Sequence, residues 1–331
     1  MTEVVTLGEC LLAFVATSPG PLAEATTFER FVAGAEANLA VGLARLGHSV
    51  TFIGRVGADG FGDAITRRLR GEGVDTTHLS VDADHTTGLM FRERRILGPA
   101  QVVYARRDSA GSCLGTADVD RAAGAGVFDG ARWLHLTGIT PAISADARAA
   151  TERATDLARA AGMSISLDLN LRRRLWSDEA AAPVLRALAA RVDVIFGSPD
   201  ELAVVTGLAA DDDPAELARA ATALGPAVAV AKLGADGALA IELDALDLPV
   251  ARSAVPLPVV VDPVGAGDAF CARFIAARLD GMDLAVALEI ANACGAAVAS
   301  ALGDQTGLPD RTELVAILRA GIGAGTPDTI R

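Results

Sequence analysis

Short apolar runs that stop at a glycine or a charged residue alternate along the chain with longer, alanine-rich amphipathic stretches. Apolar or β-branched runs bounded by turn residues read as strands, and small apolar residues recurring at helical spacing read as helices. Residues 4–7 form one such run, ending at Gly8-Glu9, and two more at 11–15 and 28–32 flank a Ser-Pro-Gly-Pro turn. A helix is predicted over 35–46, stopped by Gly47. A strand over 49–56 follows, and its GADGFG turn feeds a helix over about 63–71. Residues 87–96 and 101–107 alternate polar and apolar positions around LGPA, which is a hairpin pattern. Beyond residue 112, strands at 133–136, 164–169, 192–196 and 228–233 alternate with helices over 144–161, 178–190 and 214–224. That order implies a parallel sheet with right-handed crossovers, an α/β architecture. The hairpin pieces at about 10–33 and 86–108 do not fit this core and are expected to form a small β-sheet lid over one sheet edge. The organisation expected is a single domain over residues 1–320, with a glycine-rich tail over 321–331 that is loose at its end.

Ligands of such sheets sit beyond the carboxyl ends of the strands. Polar and glycine residues gather at those turns: GEC (8–10), GRVGADG (54–60), TGITPA (137–142), DLNLRRRLW (168–176), GSPDE (197–201), KLGADG (232–237) and DPVGAGD (262–268). Composition narrows the ligand. The 331 residues are 51% hydrophobic but only 4% aromatic, so close, helix-rich packing is expected. A net charge of -13 and a pI near 4.8 argue against a nucleic-acid partner, which normally meets a basic patch. Phosphate ligands stay compatible, because backbone amides and a few arginines suffice to bind them. Cys10, Cys113, Cys271 and Cys294 are far apart and form no C-x-x-C pair, so they read as small apolar residues of a reducing compartment rather than a disulfide frame or zinc site. No leader-like N-terminal segment and no run of about 20 apolar residues occurs. A cytoplasmic protein without a membrane partner is expected.

The stretch VVVDPVGAGDAF (259–270) carries the sharpest local signal. A β-branched run stops at Asp262, crosses a proline and two glycines, and plants Asp268 before an apolar stretch read as a helix over 266–279. Gly265 and Gly267 permit close backbone approach, and amides at a helix N-terminus can cradle a phosphate. Asp268 would then be a base beside that phosphate, or else a simple capping carboxylate. The dinucleotide pattern G-x-G-x-x-G fails because Phe270 occupies the third glycine position, and no G-K-[ST] follows. In DLNLRRRLW, Asp168 and Asn170 end a strand, and Arg172 is the arginine best placed to grip a carboxylate or phosphate; three adjacent arginines also suit a solvated face. Arg106 and Arg107 on the hairpin pose the same choice against edge protection. Asn38, one turn beyond Gly34, is a ligand contact or a packing hydrogen bond. Ser198 and Glu201 form a capping box, or Glu201 holds a metal-bound water. Asp304 lies in the ALGDQTGLP loop, where a solvated acid is the plainer reading. His48, His78, His85 and His135 show no metal-ligand spacing, and no G-x-S-x-G elbow supports hydrolysis.

Together, DPVGAGDAF and AGAEANLAVGLARLG resemble the two signatures of the ribokinase-like (PfkB) carbohydrate kinases, in the same order and some 230 residues apart. The resemblance spans residues 3–320 and implies a ribokinase-like three-layer sandwich, with a mostly parallel central sheet and a small β-sheet lid. Within the family, DSAGSCLG, LHLTGITPAIS, SLDLNLRRRLWS and GDQTGLP are most similar to the branch acting on 2-keto-3-deoxygluconate. By that resemblance Asp268 is the catalytic base, with Gly265, Ala266 and Gly267 as the anion-stabilising turn. Gly34, Asn38, Met90, Tyr104, Arg106, Arg172 and Asp304 fall on substrate positions. Ser198, Lys232, Gly234, Gly237, Gly265, Gly267 and Asn292 fall on the ATP side, and Glu201 on the Mg2+ side through water. ATP and Mg2+ are the cofactors implied, a sugar acid the substrate, and a homo-oligomer through the lid the assembly. Four positions depart from the general pattern: Ser198 replaces an asparagine, Pro263 a Thr or Ser, Glu36 a proline or glycine, and Met90 a tyrosine. Pro263 and Glu36 lean toward the sugar-acid branch. A kinase of a neutral sugar and a non-catalytic sugar or nucleotide sensor stand as alternatives.

Overall fold

The computed structural model describes residues 1–95, 100–246 and 248–322. Its strands are β1 (Val4–Leu7), β2 (Leu11–Pro19), β3 (Phe28–Ala33), β4 (Val50–Gly57), β5 (Leu79–Asp82), β6 (Leu89–Arg94), β7 (Val102–Ala105), β8 (Trp133–Thr137), β9 (Ser164–Asp168), β10 (Val194–Gly197), β11 (Val228–Lys232), β12 (Ala238–Glu242) and β13 (Val250–Arg252). Nine of them form one sheet in the order β13-β12-β11-β10-β9-β8-β1-β4-β5. It is parallel from β11 to β5, and β12 and β13 continue it antiparallel. Every residue of β1 is buried, as expected of a parallel strand covered on both faces. Side chains alternate between two cores: Val194 and Phe196 of β10 join the cluster with Phe52 and Phe274, while Ile195 joins Leu134 and Ile165 on the other face. The helix Ala266–Leu279 is buried almost all round, packed among the sheet and the helices Ala35–Arg45 and Leu284–Ala299. Its small residues let the backbones come close, and Phe270 and Phe274 stack on each other while both meet Phe196 edge-on.

The expected second sheet is present, with the order β3-β2-β6-β7. Phe14 stacks on Phe91 with centroids 5.2 Å apart, and Phe28 meets Phe91 edge-on. Several boundaries differ from the sequence reading. β2 runs on to Pro19, and the helix after β4 starts at Gly60 because the Asp59 carboxylate accepts from the amides of Phe61 and Gly62. The helices Thr116–Gly124, Leu284–Ala299 and Arg311–Ile322 and the strands β5, β12 and β13 are additions to that reading. Residues 259–261 form no strand, and their valines are exposed. The end of the 87–96 strand, most of the LGPA turn and residues 323–331 of the expected tail lie outside the described residues.

Candidate active site

A cleft of about 1180 Å³ separates the small sheet from the carboxyl edge of the large one. Asp268 stands in its wall, in the first turn of the helix Ala266–Leu279. That helix begins on Gly265 with φ 84°, and a Cβ there would sit 2.6 Å from the Asp304 carbonyl oxygen, so only glycine fits. Among the described residues the amides of Gly267 and Asp268 find no acceptor, while that of Ala266 turns back to the Pro263 carbonyl at 3.3 Å. Asp268 accepts from the Asn38 side-chain amide at 2.8 Å and from that of Asn170 at 3.3 Å. Asn170 reaches it from a left-handed backbone (φ 35°), a conformation held by the surrounding structure. Gln305 in turn donates to Asn38 Oδ1 at 3.1 Å, which orients the asparagine amine toward the carboxylate. Burial pushes the Asp268 carboxyl up to about 7 against the Asn38 hydrogen bond, and the nearby charge of Asp168 adds to the rise. Asp304, buried beside it, is pushed up to about 6 by burial in spite of Arg92.

Lys232 closes the floor. Its ammonium is 2.7 Å from both oxygens of the buried Asp168 and lies beside Gly267, 3.5 Å from where a Cβ would stand. Burial alone would lower its pKa, but the Asp168 carboxylate overrides this and holds the lysine charged. Glu201 takes the amides of Leu171 (2.8 Å) and Ser198 (2.9 Å) on its two oxygens, so the capping-box arrangement is realised and also pins the loop after β9. Ser198 Oγ bonds Asp200, and both Ser198 and Glu201 line the cleft. Gly234 and Gly237 bracket the turn after β11, outside the cleft lining. Asn292 also lies outside it and ties its helix to the carbonyls of Arg252 and Ser253.

The lid side brings Met90, Tyr104 and Arg106 into the cleft. Met90 packs with Leu11, Ala13 and Ala33 in the small sheet's own core. Arg106 lies over the Tyr104 ring at 5.3 Å and is paired with the buried Glu9, whose other oxygen accepts from Ser109 at 3.0 Å. Arg172 lines the cleft from the sheet side, exposed and without a side-chain partner among the described residues. Gly34 (φ 139°) caps the helix that carries Asn38, and a Cβ there would press on the Glu9 carbonyl oxygen at 2.5 Å. Glu36 is buried beneath, accepting from Thr137 and Thr140.

Sequence reasoning left out Glu9, Arg92 and Gln305, and read Asp262 as shaping the turn or lying near the metal and phosphates without finding its partner. Arg92 on β6 grips Asp262 with both terminal nitrogens, a buried pair 170 residues apart in sequence that docks the lid on the glycine turn. Glu9 carried a signal, since it stands in the turn after β1; Arg92 carried none.

The sequence profile of the pfkB family carbohydrate kinases matches residues 1–311. The chain is 38% identical over 324 residues to the 2-dehydro-3-deoxygluconokinase of Thermoproteus tenax, covering 97% of this chain and 95% of that one. It is 36% identical over 320 residues to the enzyme of the same name from Bacillus subtilis (strain 168), covering 96% of each. Fructokinase-1 of Oryza sativa subsp. japonica is 34% identical over 332 residues, with 96% of this chain and 98% of the relative covered. Among solved structures, a protein described as Ribokinase II from E. coli, in complex with ATP and Mg2+, superimposes with a TM-score of 0.87 at 26% identity, covering 97% of this chain and all of its own. The 2-dehydro-3-deoxygluconokinase of Thermotoga maritima does so with a TM-score of 0.86 at 27% identity, covering 98% and 100%.

Proposed function

Because this chain belongs to the pfkB family of carbohydrate kinases, we propose that it transfers a phosphoryl group from ATP to the terminal (C6) hydroxyl of 2-keto-3-deoxygluconate, giving 2-keto-3-deoxy-6-phosphogluconate. One observation carries the chemistry: Asp268 is a half-buried carboxyl bonded, among the described residues, only by side-chain amides, with its pKa lifted to about 7, in the first turn of a helix whose Gly267 and Asp268 amides are free of acceptors there. A base with that pKa is matched to a task near neutral pH. Asp268 accepts the proton of the sugar hydroxyl, and the amides of Gly265, Ala266 and Gly267, at the turn that only glycine can make, face the charge that develops on the phosphoryl oxygens. Asn38 and Asn170 orient the carboxylate. The free amides and the Lys232 ammonium fit a polyphosphate, and the relative bound to ATP and Mg2+ supports that donor. On this reading Ser198, Gly234, Gly237 and Asn292 shape the nucleotide side, and Glu201, whose oxygens already hold two amides, would help hold Mg2+ through water. ATP with Mg2+ supplies the phosphoryl group and offsets its charge.

For the sugar, Arg172 is an open cation that a keto-acid carboxylate would find, while Gly34, Met90, Tyr104, Arg106 and Asp304 enclose the rest. The same region favours a second reading. Arg106 already has its charge matched by Glu9, which would suit a neutral sugar. A coupled assay over 2-keto-3-deoxygluconate, its C4 epimer 2-keto-3-deoxygalactonate, fructose and ribose separates the two. The sugar acids should give the highest kcat/KM, and a fructose or ribose value at or above theirs overturns the assignment. Absence of ADP release with every sugar would leave a sensor. The open edges of β3 and β7 support pairing with a second copy, and no described helix is long and apolar enough to cross a membrane.

A further inference from the structure

The tertiary fold assembles a cluster that short sequence spacings do not reveal. Asp82 ends β5, His85 follows in the connection to β6, and Cys113 closes the 3-10 turn Ala110–Cys113 after β7. One ligand atom from each lies within 4.8 Å of one from each of the others, and all three residues are half-buried. Cys10, Cys271 and Cys294 are buried, so Cys113 is the accessible thiol of the four. We propose that Asp82, His85 and Cys113 form a binding site for a thiophilic divalent cation of the Zn2+ class, distinct from the nucleotide's Mg2+. The expectation of no zinc site rested on local sequence spacing, which these three residues do not show.

The ligand chemistry selects the ion. A thiolate and an imidazole suit Zn2+, whereas Mg2+ and Ca2+ prefer all-oxygen sets. His85 Nδ1 and Asp82 Oδ1 are 3.1 Å apart. Two bonds of about 2.0–2.2 Å at a tetrahedral angle span roughly 3.3–3.5 Å, so the ion replaces the shared proton with little movement. Cys113 supplies the third corner and water the fourth. Asp82 is already fixed: its Oδ1 accepts from the amides of Asp84 (2.9 Å) and His85 (3.1 Å), and Arg55 holds Oδ2 at 3.3 Å. Arg55 also bonds Asp118 at 2.8 Å, so its charge is shared between two carboxylates.

The position gives the site a consequence. Asp82 and His85 precede the β6–β7 hairpin and Cys113 follows it, and the two connections already touch through the Ala110 amide and the Thr86 carbonyl at 2.8 Å. A bound ion would clamp both connections of that hairpin and stiffen the base of the lid.

The test is titration of Zn2+ alone into the full chain against a chromophoric chelator, for wild type, His85→Ala and Cys113→Ala. The expected result is one equivalent bound by the wild type, a ~10-fold or greater loss of affinity in each variant, and a Zn2+-dependent rise in Tm that both variants lack. Melting in excess chelator checks that each variant folds, and if one does not, the other decides. No binding by the wild type below roughly 0.1 mM Zn2+, or unchanged affinity and stoichiometry in a folded variant, overturns the site.

Discussion

Asp262 and Asp268 flank one glycine turn, yet the molecule treats them oppositely. Asp262, on the side facing the lid, is gripped by both terminal nitrogens of Arg92 and accepts from the amides of Val264 and Gly303, each at 3.2 Å. Asp268, on the side facing the cleft, is half-buried and among the described residues meets only the side-chain amides of Asn38 and Asn170. A buried carboxylate gripped by a guanidinium serves as a fastening. A buried carboxyl held by neutral donors has its pKa raised and can exchange a proton. Partner chemistry helps separate structural acid from candidate base, and Asp168 with Lys232 repeats the fastened arrangement on the floor of the cleft.

Removing the proton acceptor should break this contrast most severely. Asp268→Asn is expected to lower kcat by ~10²–10⁴ while the KM for the sugar changes only a few-fold. Turnover within a few-fold of wild type would return Asp268 to a capping role. The wild-type kcat/KM should fall as pH drops below about 7, because the carboxyl is then protonated. Stability runs the other way. A carboxyl whose folded pKa lies above its ordinary value favours the folded state in acid, and that contribution is lost as pH rises through about 7. Asp268→Asn should therefore gain most in Tm over the wild type near pH 8 and least near pH 5.

Arg92→Ala attacks the other half of the comparison. It strands a buried carboxylate and is expected to cost about 3–5 kcal/mol of stability by urea unfolding, with Arg92→Leu/Asp262→Asn recovering part of the loss. A loss below about 1 kcal/mol would mean that the pair does not fasten the lid. The smallest effect is expected at Arg172, which is exposed and bonds no other side chain among the described residues. Arg172→Ala should raise the KM for a sugar acid by ~10–100-fold, as for loss of a charged hydrogen bond, and leave both the KM for a neutral sugar and the Tm unchanged. Equal effects on both sugar classes would favour a neutral substrate.

Much of this was legible before the structure. The βα alternation beyond residue 112 and the second sheet follow from periods of 2 and 3.6, and the helix Ala266–Leu279 from the glycine turn that precedes it. Asp268, Arg172 and Asn38 stood out at strand ends and helix starts, Lys232 through the family resemblance, and all four line the cleft. The antiparallel β12 and β13 and the helix Leu284–Ala299 were less legible, because short apolar runs and all-apolar helices lack a contrasting polar face. The run at 259–261 has a strand's composition but forms none, since Val261 and Asp262 direct their amides to the Ala299 carbonyl at a helix end instead of to a neighbouring strand.

Local sequence determined the elements, the glycine turns and the inventory of acids and bases, because propensity, capping and chain conformation act over a few residues. Tertiary structure alone decided what each charged group does. Whether a carboxyl meets an arginine, an amide or another acid depends on groups such as Arg92, Gln305 or Cys113, which the fold carries in from distant parts of the chain. Once water is excluded, those encounters set whether a group is locked, proton-exchanging or open to a ligand.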